Sequence, residues 1–384
     1  MPRRRARGER VRDGVAPRPA SPDPGHPDPT TELRLTTLQT TRGANFWSRR
    51  PVTRMDLRVG AYDDISSADV SGLTEALLRA MPGLVEHRCS IGDRGGFVRR
   101  LRLGTYAPHI VEHVALELQA MIGHDVGFGR TRGGDEPHAY TLVFEHRHDA
   151  VGRRAAALAL ETVQRAFAGT LTDVRAAVAE LALIATGPDV PPIQHRVLAG
   201  ITGGAGRRET QSLLDARLAA RRGSEEQDGE RLVIDVSPAF LLHSGLPYAR
   251  SELAVILDAR LTDVPPRYTA PERARRLVTV LVDGLADGGS LVCPATDWEI
   301  QDYARDRGYR VAVFSPDGRV SARDLRVACG VAIVRDGRLV VECGDVTWDA
   351  GPADPSLAPV PQVAAAMAAA LASEPRNDHP VHAR

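Results

Sequence analysis

The sequence predicts an α/β protein, with an N-terminal α+β domain followed by a mostly parallel α/β domain of P-loop type. Three observations carry this. Short β-like runs alternate with helical patterns up to about residue 186. A Pro-rich joint, GPDVPPIQ at 187–194, follows. A strand, a glycine-rich loop and a helix then open a strand-rich second half. With 384 residues the chain is long enough for two domains that each bury a core.

Residues 1–32 combine Arg repeats with Pro, Asp and Gly and offer little to a core, so they are expected to be a disordered basic, Pro-rich tail. In 33–190 the runs LRLTTLQ, TRMDLRV and YTLVFEH read as strands, and residues 69–81, 107–122, 151–168 and 171–186 carry helical periodicity. In 191–350 the runs RLVIDV, ELAVILD, SLVCPA, YRVAVF, VAIVRD and RLVVEC read as strands, with helices over 271–286 and 297–307. Residues 351–384 read as an Ala/Pro-rich tail with one helix over VAAAMAAALA.

Forty-nine basic residues balance 49 acidic ones, and a net charge of zero gives no electrostatic case for a nucleic-acid partner. All the basic residues are arginine, because the sequence contains no lysine. That composition removes the phosphate-gripping lysine of a P-loop and any Schiff-base lysine. Four widely spaced cysteines without a CxxC pair, and no apolar h-region at the start, fit a reducing cytoplasm. No apolar run approaches the roughly 20 residues that cross a bilayer, so no membrane partner is expected.

The sharpest local signal is His109-Ile110-Val111-Glu112-His113, followed by Glu117, in a segment that reads as an amphipathic helix. Spacings of four put His109, His113 and Glu117 on one helical face. Two imidazoles one turn apart ligate zinc, and a carboxylate one turn on supplies a third ligand. Glu112 then falls where it takes a proton from water, the HxxEH arrangement. The alternative is that the histidines are hydrogen-bonded within a packing surface while the glutamates pair with arginines.

Gly-rich segments with arginine surround this helix: RGANFW at 42–47, HRCSIGDRGGF at 87–97 and GFGRTRGG at 127–134. Arg94, Arg99, Arg130 and Arg132 are the candidate substrate-binding residues, since guanidinium forks match carboxylates. Tight turns with solvated arginines are the plainer account. Cys89 beside His87 is either another ligand pair or a nucleophile, and a structural thiol is the plainer account.

In this order RGANFWS, MPGLVEHRCSIGDRGGFVRRLRLGTYAPHIVEHVALELQAMIGHDVGFGRTR and YTLVFEH resemble the N-terminal domain of the cyanophycin synthetase family. In that family the domain precedes an ATP-grasp domain and a Mur-ligase-like domain, and the enzyme polymerises aspartate and arginine. The resemblance implies a scaffold or polymer-binding module, metallopeptidase-like in some members. The second half resembles the Mur-ligase-like domain in degenerate form, without the ATP-grasp segment between the halves. Gly200-Ile201-Thr202-Gly203-Gly204-Ala205-Gly206 stands at the family's phosphate loop, but Arg207, Arg208 and Glu209 follow where a lysine and a hydroxyl are needed. Gly203, Gly206 and Arg207 thus mark a degenerate nucleotide loop, and Asp258-Ala259-Arg260-Leu261-Thr262-Asp263 lacks the family's histidine.

The resemblance therefore implies an accessory protein without ATP-dependent ligase chemistry. It would bind an Asp/Arg-rich peptide, a cyanophycin-like polymer or a separate ATP-grasp ligase, as a homo-oligomer if it follows the family. One alternative is a zinc-dependent peptide hydrolase using the HxxEH helix, and another is a residual ATP-binding amide ligase. Zinc is the cofactor the spacing admits, while ATP with magnesium is not expected.

Overall fold

The computed structural model describes residues 26–134, 136–189, 197–221 and 232–373. The first unit holds β1 (Arg34–Thr40), β2 (Val52–Arg58), β3 (Gly129–Gly133) and β4 (Ala139–Glu145) in the order β1-β2-β4-β3, antiparallel throughout. With it go α1 (Pro29–Glu32), α2 (Leu73–Ala80), α3 (Gly96–Leu103), α4 (Ala107–Met121), α5 (Asp149–Phe167) and α6 (Arg175–Ala185). Met55 and Leu57 of β2 and Leu142 and Phe144 of β4, each pair two residues apart and so on one face of its strand, anchor the core there.

Pro108 opens α4 at a position where a missing N–H costs nothing. The helix packs against α5, β3 and β4. It is not amphipathic towards solvent as the sequence suggests: its residues are buried on every side, including Glu112, His113 and Glu117. A helix buried all round with charged groups in it must aim them at one another or into a cavity.

The second unit holds β5 (Val197–Thr202), α7 (Arg207–Arg221), β6 (Leu232–Asp235), α8 (Pro238–Ser244), β7 (Ser251–Ile256), α9 (Pro271–Val278) and α10 (Val280–Asp283). It continues with β8 (Leu285–Pro294), α11 (Trp298–Arg305), β9 (Arg310–Ser315), α12 (Asp324–Val327), β10 (Gly330–Arg335), β11 (Arg338–Cys343), β12 (Val346–Pro352) and α13 (Pro359–Ala372). The eight strands run β12-β11-β10-β9-β8-β7-β5-β6, parallel from β6 to β10, with β11 and β12 added antiparallel. The order reverses between β5 and β7, and a sheet of this kind offers a crevice at that point.

Parts of both expected tails take part in the fold. Residues 29–32 of the first form α1, with Pro29 buried. The alanine-rich run becomes α13, buried along its length against α7 and the strands β7–β11. Small side chains let a helix approach a sheet closely, so this segment belongs to the core. Residues 1–25 and 374–384 lie outside the described residues, as does most of the joint at 187–194.

The segment 42–49 seats the first unit on the second. The Leu246 amide donates to the Ala44 carbonyl at 2.7 Å, and the Phe46 ring meets Tyr268 edge-on at 5.4 Å. Arg276 donates to the Phe46 carbonyl at 3.2 Å, and Arg49 pairs with Asp283 at 3.0 Å. RGANFW is therefore a joint between the two units and not part of the surroundings of α4.

Candidate metal centre

A cavity of about 1140 Å³ opens between α4, the 83–89 segment and β3. His109, Glu112, His113 and Glu117 all line it, spaced by α4, and so does Cys89. Cys89 arrives from a short 3-10 turn in which its φ is +56°, a left-handed conformation that a residue with a Cβ adopts only when its surroundings hold it there.

Ligand atoms of Cys89, His109 and His113 lie within 4.8 Å of one another. Cys89 Sγ is 3.3 Å from His109 Nε2, and His109 Nδ1 meets Thr105 Oγ1 at 2.8 Å. His113 stacks on Phe97, with ring centroids 3.9 Å apart, and its Nε2 is buried without a hydrogen-bond partner. A buried nitrogen without a partner is costly unless a ligand takes it up. An N,N,S donor set of this kind suits zinc.

Glu117 stands outside this group, although the helical spacing predicts it as third ligand. Its Oε2 is 3.0 Å from His87 Nε2, and His87 Nδ1 is 2.8 Å from His113 Nδ1. Cys89, 20 residues before His109, is the third member of the group, and no helical periodicity reveals it. His87, which the sequence offers with Cys89 as a ligand pair, instead bridges Glu117 and His113.

Burial pulls the His109 pKa down to about 4, with Arg100 adding to the effect, and also depresses that of His113, with His109 and His87 nearby. Both imidazoles are thus neutral at physiological pH, the form that ligates metal. Glu112 turns towards β3, where Thr131 Oγ1 donates to Oε2 at 2.5 Å. Burial raises its pKa to about 7, against the lowering effect of that hydrogen bond. A carboxylate poised near neutrality suits general acid–base work.

Of the four candidate substrate arginines, Arg130 lines the cavity. Arg132 follows on the same strand without lining it, Arg94 pairs with Glu86 in solvent, and Arg99 borders a smaller hollow with Leu78 and Val98.

The glycine-rich loop of the second unit sits at the reversal between β5 and β7. Gly203 has φ +140° and Gly206 +81°, conformations that glycine adopts without strain. The Arg207 guanidinium folds back to the Gly203 and Gly204 carbonyls and bonds Asp235 at 2.9 Å. The Gly204 amide donates to Asp258 Oδ1 at 2.9 Å, and the Arg260 amide donates to the same oxygen at 2.8 Å. Thr210 directs its hydroxyl to the Gly206 carbonyl at 2.7 Å. Pro361 of α13 packs over Gly206.

Residues 54–168 match the family described as the cyanophycin synthase-like N-terminal domain. Cyanophycin synthetase of Synechocystis sp. is 45% identical over 125 residues, 32% of this chain and 14% of that protein. That of Geminocystis herdmanii is 43% identical over 130 residues, 33% of this chain and 15% of that protein. The matched stretch thus spans about one seventh of these relatives' length. Among solved structures, MurF from Acinetobacter baumannii is similar at 14% identity and TM-score 0.33, over 63% of this chain and 49% of that one. A pseudomurein peptide ligase type C from Methanothermus fervidus is similar at 11% identity and TM-score 0.35, over 51% of this chain and 52% of that one. Over residues 54–168 this chain is therefore similar in sequence to the N-terminal domain of cyanophycin synthetases.

Proposed function

We propose that the cavity of the first unit is the centre of a zinc-dependent peptide hydrolase acting on an Asp/Arg-rich peptide or cyanophycin-like polymer. The observation that carries the reading is the convergence of Cys89, His109 and His113, whose Nε2 has no hydrogen-bond partner, in the cavity that Glu112 also lines. Zinc in such a site polarises a carbonyl and activates water for attack at neutral pH. The residues around it do the rest. Glu112, oriented by Thr131, takes the proton from the attacking water and returns it to the leaving amine. Arg130 supplies a fixed positive charge at the cavity wall for a substrate carboxylate. The cavity is large enough to hold several residues of an extended peptide.

The test uses the full chain with one equivalent of zinc and a synthetic Asp/Arg peptide, followed by mass spectrometry. Cleavage is expected, and Glu112→Gln abolishes it while zinc remains bound. Equal turnover by the variant removes Glu112 from the role, and a wild-type protein that binds zinc but cleaves nothing removes the hydrolase.

A second reading is an accessory protein that binds such a peptide, or a separate ATP-grasp ligase, without turnover. It is favoured by the closure of the glycine-rich loop on Arg207 and Asp258, which supports a chain that does not work as a ligase alone. Retention of neither polymer nor ligase on immobilised protein argues against it.

A further inference from the structure

We infer that Glu117 and His87 form a proton-ordering relay that fixes His113 as its Nδ1–H tautomer and so turns the lone pair of its Nε2 towards the cavity. The inference rests on the zinc reading of this cavity only for its purpose, because the relay itself is a property of the metal-free protein.

The argument follows the chain of contacts. Glu117 Oε2 lies 3.0 Å from His87 Nε2, and a carboxylate there accepts a proton held on that nitrogen. A neutral His87 with its proton on Nε2 carries a lone pair on Nδ1. That lone pair lies 2.8 Å from His113 Nδ1, so the proton between the two rings belongs to His113. A neutral His113 protonated on Nδ1 has a bare Nε2, the nitrogen that is buried without a partner on a residue grouped with Cys89 and His109. Phe97 stacked on the ring at 3.9 Å holds its plane.

Gly83 shows how closely Glu117 is fitted. A Cβ there would come within 2.1 Å of Glu117 Oε1, so glycine leaves room for the carboxylate to reach His87. The free imidazole prefers its proton on the other nitrogen, and the carboxylate supplies the bias by which a partner on one ring nitrogen decides what the other can do. Glu117 is then a positioning residue acting through His87.

Two measurements test this. The first is nitrogen-15 NMR of histidine-labelled, metal-free full-length protein, with the His113 signals identified by their loss in His113→Gln. Wild type shows His113 as the Nδ1–H tautomer, and so does Glu117→Gln, whose amide oxygen still accepts from His87. Glu117→Ala and His87→Phe shift it towards Nε2–H. An Nε2–H His113 in wild type, or a tautomer unchanged by Glu117→Ala, overturns the relay. The second is zinc affinity by competition with a chromophoric chelator. It should weaken on the order of 10–100-fold in Glu117→Ala and stay within a few-fold in Glu117→Gln, as is usual for outer partners of metal ligands. Equal loss in both variants overturns the relay in favour of direct ligation by Glu117. If wild type has the stated tautomer yet takes up no zinc, the relay stands and the hydrolase reading falls.

Discussion

The Leu246 amide donates to the Ala44 carbonyl at 2.7 Å, and this bond joins a loop of the first unit to the second. Asn45, next in the chain, keeps that loop in shape. Its Nδ2 donates to Thr41 Oγ1 and to the carbonyls of Gly43 and Arg50, while its Oδ1 accepts from the amides of Trp47 and Ser48. Asn45→Ala leaves these buried groups without partners and should cost about 2–4 kcal/mol. Urea unfolding followed by circular dichroism should show an earlier transition, with the two units unfolding less cooperatively. An unchanged midpoint would show that the side chain does not organise the joint.

Metal content separates the ligand set seen in the cavity from the set that helical spacing suggests. Cys89→Ala and His109→Ala should each lose near-stoichiometric zinc after dialysis, whereas Glu117→Gln should keep it. Elemental analysis of protein purified without a histidine tag gives the answer. Zinc retained in Cys89→Ala and lost in Glu117→Gln would restore the carboxylate as third ligand.

Acid should destabilise the first unit through its buried histidines. His146 hydrogen-bonds Thr53 at 3.0 Å, and burial lowers its pKa to about 4 from 6.5, with Asp149 and Asp189 opposing and Arg153 and His148 assisting. Between those values the unfolded chain binds a proton that the folded one refuses, so stability falls as pH drops from 6.5 towards 4 and levels off below. The slope is at most about 1.4 kcal/mol per pH unit for one histidine. His109 and His113 shift in the same direction and add to it in the metal-free protein. Chemical denaturation across this range should give a flatter dependence for His146→Gln than for wild type; identical slopes would exclude His146 as a contributor.

Asp258 occupies the Gly204 amide that an anion would need, and Asp235 adds a second carboxylate beside the loop. Wild type should therefore not bind pyrophosphate appreciably, and Asp258→Ala, by freeing the amide and removing a charge, should bind it on the order of tenfold more tightly. Isothermal titration on both proteins decides this. Tight binding by wild type would mean that the loop opens readily, and no gain in a folded variant would mean that the Asp235 carboxylate and the Arg207 it holds suffice to keep the loop closed to an anion.

Most strands and helices were legible because their periodicities are strong: TRMDLR alternates across β2, and the apolar runs of β5 and β7 are what a strand covered on both faces requires. β3 was not legible, since Gly-Arg-Thr-Arg-Gly at a sheet edge has no apolar face to advertise it. α13 read as a tail because alanine signals little burial by itself, and only the facing sheet shows why small side chains are wanted there. The site divided along the same line. Spacing within α4 revealed His109, Glu112 and His113. Cys89 and His87 reach the cavity through a turn and a left-handed backbone, which leave no period in the sequence.

The burial of α13 has a consequence for the order in which the protein takes shape on the ribosome. The core of the first unit is complete once residue 185 has emerged. The face of the second sheet that carries Ala199, Val255, Val292 and Ala332 is covered by residues up to Leu371. The first unit can therefore mature while the second is still being translated, and that sheet waits, with one greasy face open, until residue 371 has arrived. Chaperones that capture nascent apolar surfaces should find their target there, in a window that closes when α13 docks.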